Sequence, residues 1–316
     1  MNCLCCGKPI RTTDAASQWH AGCVRSFFGT SIIPDIEIDE HTVELLALEG
    51  TSKGITVPGV QKKLSLHLFS DRHSPRLTLV NYPTGYILKP QVKEFTALPE
   101  SEHLVMSMAD AAGISTVPHA LIRMKDELAY ITKRIDRTIG KDFVSMLAME
   151  DFCQLDSRRT QDKYRGSYER CAKIINEYSC RVGVDMSELF IRLVFCYIVG
   201  NSDMHLKNFS LIETGEGSGE YCLSPAYDLL PVNLIMPEDK EEFALTMNGK
   251  KMHLTKKDFL VFAETAGIQR NTALKMINSI LEKLPLFKEM CEKSLLPDAL
   301  KEKMLSLMEA RSSVLN

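Results

Sequence analysis

The 316-residue sequence has no apolar run long enough to cross a membrane. Its longest, Leu189 to Gly200, spans twelve residues and is interrupted by Arg192, against the ~18 or more that a spanning helix needs. The opening Met1-Asn2-Cys3-Leu4-Cys5-Cys6-Gly7-Lys8 lacks a basic segment followed by an apolar stretch, so neither a secretory signal nor a lipid-anchoring motif is legible. An excess of one charge is also missing. Lys and Arg number 38 against 41 Asp and Glu, a formal charge of -3, so there is no global field to draw the chain onto phosphate backbones or anionic lipid. Direct nucleic-acid binding and membrane association are therefore not expected, and the chain reads as soluble and cytoplasmic. Internal repeats and low-complexity tracts are absent. At 45% hydrophobic and 25% charged residues, the sequence can bury one large core or two modest ones.

An oxidised disulfide framework is not legible either. Four of the ten cysteines crowd into the first 23 residues and the other six are scattered through helical or strand-like segments, which suits reduced thiols. Within the crowd, Cys3-x2-Cys6 and His20-x2-Cys23 are separated by thirteen residues and offer four soft ligands in two close pairs. That is the pattern of a closed tetrahedral structural zinc site, with Cys5 spare or a rival to Cys6. No coordination position is left open, so the metal is not expected to be catalytic.

Four zones follow one another. Residues 1–30 carry the Cys/His cluster. A short helical stretch at His41 to Leu46 and a turn-rich Gly50 to Gly59 lead into period-two runs at Leu64/Leu66/Leu68, Leu77/Leu79 and Tyr86-Ile87-Leu88, the mark of an antiparallel meander. Pro99-Glu100-Ser101-Glu102 opens a helix, with Gly113 placed to end it, and strands are expected at His119 to Met124 and Leu128 to Lys133. Beyond Arg137 helices are expected at about 145–156, 167–182, 186–199, 255–266, 270–284 and 297–312, interrupted by one hairpin, Phe209 to Leu223. The fold class is thus α+β: a zinc-binding element at 1–30, an antiparallel-sheet lobe at 31–135 and a helical lobe at 136–316, an architecture that can trap a nucleotide between lobes.

The phosphate-binding signatures that are missing narrow the chemistry. Gly54 to Gly59 has the spacing of a phosphate loop, but Val60-Gln61 stands where Lys-Ser/Thr is required, so a Walker A loop is excluded. Gly59-Val60-Gln61-Lys62-Lys63 remains, a glycine entering a strand; alone it reads as an ordinary turn, although its backbone N–H groups could cover phosphates. The informative segment is Gly200-Asn201-Ser202-Asp203-Met204-His205-Leu206-Lys207-Asn208-Phe209. Asp203 and Asn208 reproduce the Asp-x4-Asn spacing of a kinase catalytic loop, in which the carboxylate takes the nucleophile's proton and the amide oxygen holds Mg²⁺. Asp228 lies 20 residues beyond Asn208 and suits a second metal contact, though without the Asp-Phe-Gly of common kinases. His205 inside this loop braces it, and Lys207 is an assisting cation. For the phosphates, Lys89 ends an apolar strand and Glu102 follows on the next helix, with Glu100 the competing partner.

Taken together, Gly59-Val60-Gln61-x-Lys63, Asn201-x-Asp203-x-His205-x-Lys207-Asn208, Pro225-x-Tyr227-Asp228-Leu229-Leu230 and Met149-Glu150-Asp151-Phe152-Cys153-Gln154 resemble the HipA-type serine/threonine kinases of bacterial toxin–antitoxin systems. The resemblance covers about residues 50–312. It implies a protein-kinase-like two-lobe fold, ATP with Mg²⁺, and phosphorylation of a protein, in characterised relatives an aminoacyl-tRNA synthetase. It makes Asp203 the catalytic carboxylate, Asn208 and Asp228 metal ligands, Lys89 the phosphate lysine and Gly59 to Lys63 the phosphate-covering loop. Lys133-Arg134-Ile135-Asp136 resembles the inter-lobe hinge, with its backbone on adenine and Asp136 on ribose. Thr56 occupies the place of the autophosphorylated serine of relatives. The short region ahead of the core is similar to HipT-type kinases, which implies a HipS-like or HipB-like partner. A small-molecule phosphotransferase on the same fold and a non-catalytic co-repressor remain the rival readings.

Overall fold

The structure, a computed structural model, describes residues 1–10, 17–36, 63–69, 75–78, 84–139 and 144–316. These residues form two compact units, Met1–His103 with Val117–Ser145, and Leu104–Thr116 with Met146–Asn316. The expected helical stretch at His41 to Leu46, Thr56 and the Gly59-Val60-Gln61 turn lie outside the described residues.

The first unit is built on a six-stranded sheet of β1 (Asp35–Ile36), β2 (Leu64–Phe69), β3 (Arg76–Thr78), β4 (Tyr86–Pro90), β5 (His119–Met124) and β6 (Glu127–Lys133), in the order β1-β3-β2-β4-β6-β5. Only β1 and β3 run parallel; the other neighbours are antiparallel, as the alternating pattern requires. Leu64 and Leu66 are buried, and Leu64 stands opposite buried Leu88, so the apolar positions of β2 and β4 share the covered face. A helix, Leu98–Ala112, separates β4 from β5.

The amino-terminal element is fastened to the free side of β5, the edge strand. Leu121 donates its N–H to the Leu4 carbonyl at 2.9 Å and accepts from the Trp19 indole at 3.2 Å. Trp19, Phe27, Phe28 and Tyr86 pack ring against ring with centroids 4.8–5.9 Å apart. Those two bonds satisfy edge groups that would otherwise recruit another strand.

The second unit is mainly helical: Tyr168–Tyr178, Val182–Val199, Lys256–Thr265, Arg270–Leu281, Leu284–Lys293 and Asp298–Leu315. Val182–Val199 is its axis, with every residue from Leu189 to Val199 except Ile191 buried. Arg192 in that run is fully buried and donates to the Ser224 carbonyl and to Glu188, both at 3.0 Å, which explains a guanidinium in an apolar stretch. The sequence expectation of a helix over 145–156 is corrected. Met149–Asp151 forms a strand, β7, beside β8 (Ser210–Glu213), which pairs in turn with β9 (Tyr221–Leu223); only Phe152–Leu155 turns helically. Helix Leu284–Lys293 goes unannounced in the sequence because Pro285 reads as a breaker, yet it occupies the first turn, where a missing N–H costs nothing.

Candidate active site

The loop that carries Asp203 begins where the buried axis helix stops. Gly200 takes a left-handed conformation (φ 71°) and its N–H caps the helix. A Cβ there would approach Leu307 to 2.5 Å, so both backbone and space favour glycine. Asn201, fully buried, accepts from the Asp203 N–H at 3.2 Å, and the Asp203 carbonyl accepts from the His205 N–H and the Asn208 side-chain amide, each at 2.8 Å. Of the two ends of the Asn208 amide only the NH₂ can donate to a carbonyl, so the nitrogen is engaged inside the loop and the oxygen is the atom able to meet a cation. The Asp203 carboxylate accepts from the Tyr164 hydroxyl at 2.8 Å. Tyr164 in turn meets the His205 ring edge-on at 5.1 Å, and Tyr168 donates to the Met204 carbonyl at 3.1 Å. Burial, then the Asp203 charge, raises the Tyr164 phenol well above its usual range, so it stays a donor at neutral pH.

Lys207 is held 2.5 Å from Asp151. Asp151 also caps Phe152–Leu155, accepting from the Gln154 N–H at 2.9 Å while Gln154 accepts from the Asp151 N–H. Thus the Met149-to-Gln154 motif, which carries no role legible from sequence, orients the loop lysine. Tyr227 does the same for the following segment. Its hydroxyl lies 2.6 Å from the Ser210 hydroxyl and donates to the Lys207 carbonyl at 3.0 Å, tying the residue before Asp228 to the loop and β8. Asp228 has φ 61°, a left-handed conformation that a non-glycine residue adopts at a cost, of the kind found where a side chain must be aimed.

In the first unit, Lys89 on β4 donates to Glu102, and both side chains are buried. The Lys89 ammonium also lies 5.2 Å from the centre of the Tyr130 ring. Glu102, rather than Glu100, is therefore the partner; the Glu100 carboxyl is pushed up by burial. Lys63 is exposed. The Lys133 and Arg134 N–H groups bond to the Pro118 and Gly85 carbonyls, both at 2.9 Å. Asp136 is engaged by Arg134 (2.7 and 2.9 Å) and Arg137 (3.1 Å). Burial raises its pKa, and the two arginines more than reverse this, holding the carboxyl below its usual range.

The four amino-terminal ligand candidates do converge: the donor atoms of Cys3, Cys6, His20 and Cys23 lie within 4.8 Å of one another. The set leaves Cys5 out. His20 Nδ1 is 3.4 Å from Cys6 Sγ and 3.8 Å from Cys23 Sγ, while Nε2 is 3.0 Å from the Pro9 carbonyl. That carbonyl fixes the tautomer, since Nε2 must carry the proton and Nδ1 then offers its lone pair to a metal. Zinc bonds to sulfur of about 2.3 Å require donors about 3.8 Å apart, so the residues fit the ion. For magnesium, the Asn208 amide oxygen and the Asp228 carboxylate offer oxygen donors, the chemistry that ion prefers. Among the described residues no helix is long and apolar enough to cross a membrane.

The HipA-like C-terminal domain profile matches residues 55–286. A Haemophilus influenzae protein named "Putative kinase" is 26% identical over 294 residues, covering 84% of this chain and 82% of its own. "Putative kinase Y4mE" of Sinorhizobium fredii is 27% identical over 236 residues, covering 72% of this chain and 54% of its own. Among solved structures, HipA of Shewanella oneidensis MR-1, determined with HipB and operator DNA, superposes with TM-score 0.68 at 19% identity over 82% of this chain and 64% of its own. The Helicobacter pylori proinflammatory kinase CtkA superposes with TM-score 0.54 at 14% identity, over 82% of this chain and 90% of its own. The fold is accordingly the kinase-like α+β fold of HipA and CtkA.

Proposed function

The chain belongs to the HipA-like C-terminal domain family, and from that premise we propose that it is an ATP-dependent serine/threonine kinase acting on a protein. The observation that carries this reading is the Asp203–Asn208 loop: a carboxylate held by Tyr164, an amide oriented by the loop's own carbonyl, and a lysine fixed by Asp151. In the proposed reaction Asp203 aligns the acceptor hydroxyl for in-line attack on the γ-phosphate and receives its proton. Asn208 and Asp228 are the residues that would hold magnesium. When bound, that ion neutralises charge on the triphosphate. Lys89, kept in place by Glu102, is assigned to the phosphates, and Lys207 to the charge that develops as the bond to the leaving group lengthens. His205 braces the loop through Tyr164. Gly59, Val60, Gln61 and Lys63 are assigned to covering the phosphates and Lys133, Ile135 and Asp136 to the adenosine, Asp136 exchanging an arginine for the ribose hydroxyls. Thr56 is the candidate autophosphorylation site.

The amino-terminal cluster is proposed to hold one structural zinc through Cys3, Cys6, His20 and Cys23. We further propose a cytoplasmic toxin role with a HipB-like or HipS-like partner and an aminoacyl-tRNA synthetase as target; the Shewanella HipA–HipB–DNA complex supports the class of partner. The test is incubation of the purified chain with labelled Mg²⁺-ATP and a bacterial lysate, followed by mass spectrometry. A phosphorylated serine or threonine on a protein band supports the reading. Label confined to low-mass metabolites overturns it in favour of a small-molecule phosphotransferase.

A further inference from the structure

The sequence motifs stop short of Tyr164, which lies 39 positions before the carboxylate it touches. The main chain of Asp203 is fixed by Asn201, His205 and Asn208, and its carboxylate is held by the Tyr164 hydroxyl at 2.8 Å. The tyrosine is itself clamped. Its ring lies edge-on against His205 at 5.1 Å, the Lys163 ammonium sits 4.9 Å from its centre, and the Lys163 carbonyl accepts from the Leu206 N–H at 3.1 Å. The segment is thus stapled to the catalytic loop twice, once through the main chain and once through the phenol.

We propose that Tyr164 is a positioning residue of the phosphoryl-transfer site, setting the direction in which the Asp203 carboxylate faces the acceptor hydroxyl. The inference rests on the reading of Asp203 as the carboxylate that receives the acceptor's proton. A carboxylate offers about four lone-pair sites, and a hydrogen bond donated to one of its oxygens fixes the direction in which the group faces. The phenol cannot take the proton in its place, because it remains protonated. Lys163 and His205 flank this pair, and Asp239 and Glu241 contribute negative charge at Tyr164.

Tyr164→Phe removes the hydroxyl and keeps the ring against His205, so its melting temperature should stay near that of the parent. The expected result is a kcat lowered about ten-fold with the KM for ATP unchanged. A kcat equal to the parent's in Tyr164→Phe overturns the proposal, as does a fall in kcat matched by an equal loss of ATP affinity, or a rise in kcat, which would mean that the tyrosine occupies the acceptor's place. Wild-type turnover by Asp203→Asn would instead overturn the underlying assignment of Asp203, whatever Tyr164→Phe does.

Discussion

Lys89 and Glu102 form a buried ion pair in which the lysine is 3% exposed and the glutamate not at all. Two charges withdrawn from water rarely add net stability, but removing one partner strands the other, at a cost of about 3–5 kcal/mol. Glu102→Ala should therefore lower the free energy of unfolding by about that amount in urea titration, whereas Glu100→Gln should change it little. The double change Lys89→Met with Glu102→Leu should recover most of the stability and still lose ATP binding. Recovery of both would mean that the pair is structural only.

Asn208 and Asp228 are assigned to one divalent ion, and Tyr227 ties their segments together through Ser210 and the Lys207 carbonyl. Asp228→Asn and Asn208→Ala should each lower turnover about 100-fold and raise the Mg²⁺ concentration giving half-maximal rate. Tyr227→Phe should show a smaller loss of the same kind. Magnesium titrations of turnover check this, and an unchanged Mg²⁺ dependence in all three variants would contradict the shared ion.

The lysine–glutamate pair and the Asp-x4-Asn loop were legible because each rests on residues close in sequence or on strand-then-helix order. Leu64, Leu66 and Leu88 announce their strands by alternation, and the structure places them on one buried face. The contacts that orient the loop were not legible. Tyr164 to Asp203 spans 39 positions and Lys207 to Asp151 spans 56, and no local period encodes either. Met149–Asp151 illustrates the same limit, since its residues suit helix or strand equally and the choice is made by pairing with Ser210–Glu213.

The cysteine cluster sits beside the edge of β5, with Leu4 and Trp19 bracketing Leu121. Elemental analysis of the purified chain should find one zinc per molecule. Cys6→Ser or Cys23→Ser should lose it, lower the melting temperature by several degrees and speed hydrogen exchange at the Leu121 amide. Cys5→Ser should retain the zinc. Equal exchange at Leu121 with and without the metal would separate the cluster from the sheet.

Asp258 should make the second unit acid-sensitive. Burial raises its pKa, but hydrogen bonds from Lys250, Thr255 and Asn248 outweigh that and hold it at about 2. A depressed carboxylate contributes stability that is complete above its unfolded pKa of ~3.9 and is lost as pH falls toward the folded value. The parent should therefore lose about 1–2 kcal/mol between pH 5 and pH 2 that Asp258→Asn does not lose, read from urea titrations across that range.

The most direct test of the catalytic assignment compares the parent with Asp203→Asn in two measurements on the same samples, Mg²⁺-ATP affinity by calorimetry and phosphate transferred by intact-protein mass spectrometry. The account predicts that the variant binds Mg²⁺-ATP about as tightly as the parent and transfers no detectable phosphate. Transfer by the variant at the parent's rate would contradict it.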